Sequence, residues 1–151
     1  MNLSRNLAQK AQTREITTIQ PKEQLDGTKA KLTIKNYLGG HYYFTCDECK
    51  LLKNSIYLIE GKHSHGSTLP STDDIKDGLI KMILFSNLIE VKIGDKEYTP
   101  LPILKLTSDI ILSTKNLSSL KINLLKLLLE ESIANKFEVL LNGNKLHDLQ
   151  F

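Results

Sequence analysis

The sequence predicts one domain of mixed α and β structure, because short β-prone runs alternate with helical patterns along its whole length. At 151 residues, folding buries roughly two-thirds of the unfolded surface, which is enough for one sizeable core. Hydrophobic residues make up 40% and charged residues 25%, an ordinary globular composition that argues against a disordered or collagen-like chain. The sequence contains no internal repeat, linker or low-complexity tract, so a single domain over residues 1–151 is expected.

The N-terminal half is predicted to form a helix and then three strands. Residues 3–19 are rich in helix formers, and Pro21 begins a loop. The runs at 31–35 and 41–46 are β-prone and flank a pair of glycines, which predicts a hairpin. A third strand is expected at 55–62, where β-branched and aromatic residues are frequent and charge and glycine follow abruptly.

The C-terminal half begins with a helix that Ser71 or Thr72 caps, because two aspartates then fall in its first turn, where the helix dipole favours negative charge. Apolar residues recur at helical spacing over about twenty positions and predict a face buried against the sheet: Ile75, Leu79, Ile80, Ile83, Leu84 and Leu88. Four more elements are expected after it: strands at 88–93 and 103–106, a leucine-dense helix at 117–133 and a last strand at 137–143.

The charges of the chain favour a polyanionic partner. Twenty basic residues against seventeen acidic ones give a net charge of +3 and a pI near 8.8. Only Arg5 and Arg14 are arginines, and the other eighteen cations are lysines. Lysine binds phosphate as a point charge, whereas bidentate contacts to guanine edges need arginine, so the sequence favours contacts with a nucleic-acid backbone over base-specific contacts.

The sequence also predicts a cytoplasmic protein with reduced cysteines. Its apolar runs, such as 127–129, are far shorter than the ~18 residues of a membrane span, and the N-terminal residues are too polar for a secretion signal. Cys46 and Cys49 are the only cysteines, and disulfide scaffolds are rare outside oxidising compartments. These two residues are therefore expected to be free thiols or half of a metal site.

Two carboxylates and a lysine are expected to converge at the ends of neighbouring strands. Residues two apart in a strand point the same way, so Glu60 and Lys62 share a face at the end of the third strand. By the same alternation Asp47 shares a face with Tyr43 and Thr45 and can approach Glu60. Paired carboxylates repel unless a cation lies between them, and hard oxygen ligands near a phosphate favour Mg²⁺. Such a site suits the hydrolysis of phosphodiesters.

Asp47, followed thirteen residues later by Glu60-Gly61-Lys62 at the end of an apolar strand, resembles the motif of the PD-(D/E)xK nuclease superfamily, to which many type II restriction endonucleases belong. The elements predicted for residues 1–93 have the order of that family's core, which is a helix, three antiparallel strands, a helix and a further strand. The resemblance implies a restriction-endonuclease-like core, a mixed sheet flanked by helices, in a single nuclease-like domain or in a fragment of a longer enzyme.

The resemblance also implies a chemistry. Asp47 and Glu60 are expected to bind Mg²⁺ with the main-chain carbonyl of Gly61, and Lys62 to orient or activate the attacking water. The expected function is that of a Mg²⁺-dependent endonuclease that hydrolyses double-stranded DNA, as a homodimer if both strands are cut. Cys46 stands where the family motif has proline and Glu48 follows Asp47 directly, so Glu48 is the alternative first acid, although strand parity favours Asp47.

Four more residues are candidates for contacts with DNA. His63 and His65 follow Lys62 and would lie near a bound phosphate, and the alternative is an ordinary polar loop. Lys76 and Lys81 can line a DNA groove, and a solvated helix face explains them equally well.

Two other functions compete with the nuclease. Cys46 and Cys49 can join two of the nearby histidines in a zinc site, which would make the chain a zinc-stabilised nucleic-acid-binding module, although the ligand spacing matches no standard zinc finger. The chain can also be a catalytically silent interaction domain that keeps the nuclease fold. Its partner surface would be the helix at 117–133, which carries apolar residues on more than one stripe.

Overall fold

A six-stranded mixed sheet is the centre of the fold. The computed structural model describes residues 28–35, 38–110 and 117–149, so the predicted helix at 3–19 and the loop at Pro21 lie outside the described residues. The strand order is β1-β2-β3-β6-β7-β8, in which β1, β2 and β3 pair antiparallel, β3, β6 and β7 pair parallel, and β7 and β8 pair antiparallel. The strands are β1 Thr28–Lys35, β2 His41–Leu52, β3 Ser55–Ser64, β6 Thr99–Ser108, β7 Glu138–Leu141 and β8 Asn144–Lys145.

Two α-helices of the described residues flank the sheet in the mixed α/β fold that the sequence predicts: α1 spans Thr72–Ser86 and connects β3 to β6, and α2 spans Ser119–Asn135 and connects β6 to β7. Ser71 caps α1 as expected, because its hydroxyl accepts a hydrogen bond from the Asp74 N–H at 3.1 Å. A 3₁₀ helix follows β8 at Leu146–Asp148. Within the described residues, neither helix is long and apolar enough to cross a membrane.

The predicted helix after Ser71 is shorter than expected, and its buried face is confirmed only in part. Ile75 is buried and Leu79 and Leu84 pack against the core as predicted. It has 15 residues and stops at Asn87, whose N–H bonds to the carbonyls of Leu84 and Phe85, so Leu88 lies outside it. Ile80 and Ile83 are exposed, because the face that meets the sheet is set by packing against the strands. The buried residues of α1 are Ile75, Gly78, Met82 and Phe85.

The predicted strand at 88–93 is wrong as a member of the main sheet. Only Lys92–Ile93 is extended, as β4, and it pairs with β5 at Lys96–Glu97 in a separate small hairpin. The strand that follows α1 in the sheet is β6, which extends beyond the predicted 103–106 on both sides. The segment at 88–93 alternates apolar and charged residues, whereas a strand inside a parallel sheet is covered by neighbours and needs a more continuous apolar run such as that of β6.

Both helices pack on one face of the sheet, here called the helix face. Alternate residues of the central strands enter the core there, including Leu58 of β3, Leu104 of β6 and Val139 of β7, and they join buried residues of α1 and α2 in one cluster. The opposite side, here called the second face, carries Ile59 and Ile103, which pair across β3 and β6. Glu60 and Lys62 follow Leu58 in alternation and therefore lie on the helix face.

An irregularity in β2 breaks the alternation that the sequence predicts around Asp47. Thr28 pairs with Cys49 but Ala30 pairs with Cys46, so β2 has one residue more than β1 over this interval, as in a β-bulge. Cys46 is fully buried in the core under the helices, and Asp47 reaches β3 on the same face. The expected shared face of Asp47 with Tyr43 and Thr45 is therefore wrong, and Asp47 lies inside a strand that continues to Leu52.

Candidate active site

Glu60 is the centre of a charged cluster between β3 and α1. Its side chain is 2% exposed, although it is an acid, because two lysines neutralise it. Lys81 Nζ of α1 lies 2.8 Å from both carboxylate oxygens, and Lys62 Nζ lies 3.2 Å from Oε1. Asp77 of α1 accepts a hydrogen bond from Lys62 at 2.5 Å. Lys62 and Lys81 thus each link the strand to the helix through a contact with an acid on the other element.

Asp47 joins this cluster from β2. Glu48 pairs with Ile59 across the two strands, so Asp47 is the next residue along and lies beside Glu60. Its Oδ2 accepts a hydrogen bond from the Gly61 N–H at 3.0 Å. The structure thus brings together the three side chains of the predicted motif, Asp47, Glu60 and Lys62, on the helix face of the sheet.

Burial and the neighbouring charges shift the pKa values of the cluster in opposite directions. Burial raises the pKa of Glu60, the hydrogen bond from Lys81 opposes that effect, and the negative charge of Asp47 adds to it. Burial alone would lower the pKa of Lys62, but hydrogen bonds and charge from Asp77 and Glu60 outweigh it, so the pKa of Lys62 is raised. The hydrogen bond from Lys62 lowers the pKa of Asp77. Lys62 is therefore a stable ammonium ion at neutral pH.

Glu48, the alternative first acid, faces away from Glu60. Its side chain is 1% exposed, and Lys50 Nζ lies 2.7 Å from Oε1, with Lys105 Nζ at 4.0 Å from Oε2. Glu48 pairs with Ile59, which belongs to the second face. The structure places Asp47, and not Glu48, beside Glu60.

Sequence reasoning did not predict the roles of Lys81 and Asp77 in this cluster. Lys81 was expected to line a DNA groove, but it contacts Glu60, whereas Lys76 is largely exposed and lies 3.4 Å from Asp73. Asp77 and Lys81 are four residues apart and so share a helix face. This spacing is the signal in the sequence that points to a common role for the two residues. Their partners on β3 are 15 and 21 residues away and are decided by how α1 packs.

Gly78 allows α1 to lie close over the cluster. A Cβ atom added at Gly78 would be 2.6 Å from Leu104 Cδ1 and 3.5 Å from Lys62 Cε. Glycine is thus the residue that fits this contact between helix and sheet. The close approach brings Asp77 and Lys81, on either side of Gly78 in the helix, to the level of Lys62 and Glu60.

His63 and His65 do not lie beside the carboxylate cluster. His63 follows Lys62 in β3 and points to the second face, where Nδ1 is 2.9 Å from Thr107 Oγ1. His65 lies beyond the end of β3, and its Nδ1 is 2.8 Å from Asp109 Oδ2. The two histidines thus share Asp109 as a partner on the other side of the sheet from Lys62.

The two cysteines have no arrangement typical of a zinc site. Cys46 Sγ is 2.9 Å from the carbonyl oxygen of Glu48 and 3.2 Å from that of Ile59, and burial raises its pKa to about 12. Burial also raises the pKa of Cys49. In the described part of the chain, the group of three possible metal ligands that lie close together contains no sulfur.

Comparison of the chain with protein-family models, with curated proteins and with solved structures finds no match in any of the three.

Proposed function

We propose that this protein is a cytoplasmic, Mg²⁺-dependent endonuclease of the PD-(D/E)xK type that hydrolyses phosphodiester bonds in double-stranded DNA. The observation that carries the proposal is the meeting of Asp47, Glu60 and Lys62 on one face of β2 and β3. A buried carboxylate with a second carboxylate and a lysine beside it forms a suitable site for a divalent cation and a phosphate.

The donor atoms of the site fit Mg²⁺. Asp47 and Glu60 supply hard carboxylate oxygens from adjacent strands, and the carbonyl of Gly61 lies between Glu60 and Lys62 in the sequence. A bound Mg²⁺ would lower the pKa of a water molecule and neutralise charge on the phosphate. The ammonium group of Lys81 lies against both oxygens of Glu60, where it supplies one of the positive charges that this buried acid requires.

The geometry favours one of the two roles that the sequence left open for Lys62. Its raised pKa keeps the side chain protonated, and an ammonium ion has protons to donate but no lone pair with which to act as a base. We therefore assign to Lys62 the binding of a phosphate oxygen and the orientation of the attacking water. Asp77 and Glu60 hold its Nζ from two sides, which restricts the position of the donor.

Duplex DNA as the substrate and a homodimer as the active form belong to the same proposal. The net charge of +3 favours a polyanion. The α2 helix exposes three large apolar side chains, those of Leu120, Leu127 and Ile133, with exposed fractions of 83%, 54% and 69%. Such residues suit a contact between two copies of the chain, which would present one site to each DNA strand.

A second candidate function is supported by the contact of Lys81. If its ammonium group replaces the metal permanently, the domain keeps the nuclease fold and binds partners without cleaving DNA. Lys81→Met separates the two cases, because it removes this competing charge and leaves Asp47, Glu60 and Lys62 in place.

The test is cleavage of supercoiled plasmid DNA by the purified chain with Mg²⁺ and with excess EDTA. The proposal predicts nicked or linear products with Mg²⁺ and none with EDTA. Glu60→Gln is the active-site variant, and Lys92→Met, which changes an exposed lysine of the small hairpin of β4 and β5, is the control. Cleavage by Glu60→Gln at the rate of the wild type would contradict the proposal, as would intact plasmid in every metal condition. Intact plasmid together with DNA retention in a gel-shift assay would support the silent domain.

A further inference from the structure

Three possible metal ligands converge where β3 and β6 end. The two strands are parallel, with His63 paired to Thr107, and the Asp109 N–H donates a hydrogen bond to the carbonyl of Ser64 at 3.2 Å. This pairing brings Asp109 beside His65, although 44 residues separate them in the sequence. The carboxyl ends of parallel strands are the edge at which open sheets commonly bind ligands.

The ligand atoms are spaced as a transition metal requires. His63 Nε2 is 3.2 Å from His65 Nδ1 and 3.2 Å from Asp109 Oδ1, and His65 Nδ1 is 2.8 Å from Asp109 Oδ2. In tetrahedral coordination with zinc–nitrogen bonds of 2.0–2.1 Å, neighbouring ligand atoms are about 3.3 Å apart. The distances between the two imidazole nitrogens and from each of them to its carboxylate oxygen are thus close to this spacing, with one oxygen of Asp109 facing each histidine.

A contact behind His63 prepares it to bind a metal through Nε2. The Nδ1 atom is 2.9 Å from Thr107 Oγ1, and the Thr107 hydroxyl is in turn 3.5 Å from the carbonyl oxygen of Lys62, to which it donates. A hydroxyl that donates to a carbonyl can accept the Nδ1 proton, which leaves the Nε2 lone pair directed at Asp109 and His65. Metal-bound histidines usually have such a hydrogen-bond acceptor at the other ring nitrogen.

The exposure of the three residues suits an exchangeable metal with an open coordination position. The side chain of His63 is 23% exposed, whereas those of His65 and Asp109 are 60% and 58% exposed. The metal would thus be anchored on the sheet by His63 and open to solvent on the opposite side, where water completes the coordination. Two imidazoles and one carboxylate favour zinc and similar ions over Mg²⁺, which prefers oxygen ligands alone.

We propose that His63, His65 and Asp109 form a binding site for a divalent transition metal of the zinc class, which links the end of β3 to the end of β6. The site lies on the second face, and its ligands are not shared with Asp47, Glu60 and Lys62. It therefore stands independently of the nuclease proposal, and its failure would leave that proposal untouched.

The test measures Zn²⁺ bound to the full chain after equilibrium dialysis, together with the melting temperature at saturating Zn²⁺. We expect about one zinc ion per chain and a rise in Tm of about 5 °C or more, because a ligand that binds only the folded state stabilises it. Co²⁺ should give visible absorption bands typical of four or five ligands, and any effect of Mg²⁺ on the Tm should be the same in the wild type and in His65→Asn, because these imidazole ligands favour zinc over Mg²⁺.

Three variants identify the ligands. His65→Asn and Asp109→Asn change exposed side chains, so both should fold like the wild type and lose the bound zinc and the rise in Tm. His147→Asn is the matched control, because His147 also lies beside an aspartate, Asp148 at 2.9 Å, but belongs to no group of three close ligands in the part of the chain that the structure describes. Zinc binding that persists in His65→Asn and Asp109→Asn would overturn the proposal, as would loss of binding in Cys49→Ser or absence of binding in the wild type.

Discussion

Asp47 and Glu48 are adjacent in the sequence, yet their carboxylates have opposite environments. Asp47 accepts the Gly61 N–H beside Glu60, whereas Glu48 is buried on the second face with Lys50. The extra residue in β2 determines this division, because it turns Asp47 toward the helix face although Cys46 already faces the core. At this scale, the partners of each acid decide its chemistry.

We predict that Asp47→Asn and Glu48→Gln have different effects. Asp47→Asn should reduce the rate of Mg²⁺-dependent cleavage by about a thousandfold, since it removes a proposed metal ligand. Glu48→Gln should leave the rate within about threefold of the wild type and lower the Tm, because Lys50 then loses its charged partner. Cleavage rates and melting curves of both variants provide the measurement. The reverse order of rates would show that Glu48 is the first acid.

Glu60→Gln and Lys62→Ala are each predicted to abolish cleavage, with a loss on the order of a thousandfold in rate. Glu60 provides the charge that balances two lysines, and Lys62 would provide the ammonium group next to the phosphate in the proposed site. DNA affinity should change little in either variant, because most of it comes from other cations. Single-turnover kinetics and gel-shift assays separate the two quantities, and circular dichroism checks the fold. Full activity in either variant would contradict the assigned site.

The Cys46 thiol should make the protein less stable at alkaline pH. Burial raises its pKa from 9.0 to about 12, so the unfolded thiol loses its proton at a lower pH than the folded thiol. The free energy of unfolding is then unaffected by this group below pH 9 and falls as the pH rises toward 12, by at most ~1.4 kcal/mol per pH unit. Urea denaturation of the wild type and of Cys46→Ala at several pH values tests this expectation. The variant should lose less stability above pH 9, and equal slopes would contradict the prediction.

At the scale of elements, the distance between α1 and the sheet decides whether the charged cluster forms. Gly78 lies at the contact, next to Leu104 and the stem of Lys62. The helix supplies Asp77 and Lys81, and the strand supplies Glu60 and Lys62, so a shift of the helix separates the two halves. The site is thus a property of the packed pair of elements and of neither alone.

Gly78→Ala should destabilise the protein even though alanine is the better helix former. The helix propensity favours alanine by about 1 kcal/mol, but overpacking a core contact typically costs about 1–3 kcal/mol. The added Cβ would be 2.6 Å from Leu104 Cδ1, so we expect overpacking to prevail and the cleavage rate to fall with the shifted helix. Gly66→Ala is the matched control, because nothing lies within 4 Å of its added Cβ. Equal melting temperatures for the two variants would contradict this account.

At the scale of the whole molecule, the sheet divides the two proposed sites. Asp47, Glu60 and Lys62 lie under α1 on the helix face, and His63 with Asp109 lies on the second face. Because Lys62 and His63 are consecutive in β3, alternation alone sends them to opposite sides. Metals of different hardness can therefore bind on the two faces without competing for ligands.

The exposed apolar residues of α2 predict self-association in solution. Leu120 is 83% exposed and Leu127 is 54% exposed, which is costly for a helix that remains in water. We expect a concentration-dependent dimer in sedimentation velocity, and Leu127→Glu should shift it to the monomer without loss of helical content. Lys126→Glu, on an exposed neighbouring position, is the control and should still form dimers. A wild type that stays monomeric at all concentrations would contradict the dimer.

Local features of the sequence were sufficient for much of the fold. The hairpin of β1 and β2, the strand β3 and the N-cap at Ser71 were predicted near their observed positions, because turn residues, caps and β-propensity act over a few neighbours. The pair of Glu60 and Lys62 on one face follows from the same short-range alternation.

Tertiary structure alone decided which distant residues complete each site. Lys81 and Asp77 meet Glu60 and Lys62 through the packing of α1, and Asp109 meets His65 because β3 and β6 run parallel in one register. Neither the buried face of a helix nor the register of a parallel pair is encoded in neighbouring residues, since both depend on the whole core. The sequence therefore determined the motif of Asp47, Glu60 and Lys62, and the packing of α1 and β6 around β3 determined the environment in which those groups would act.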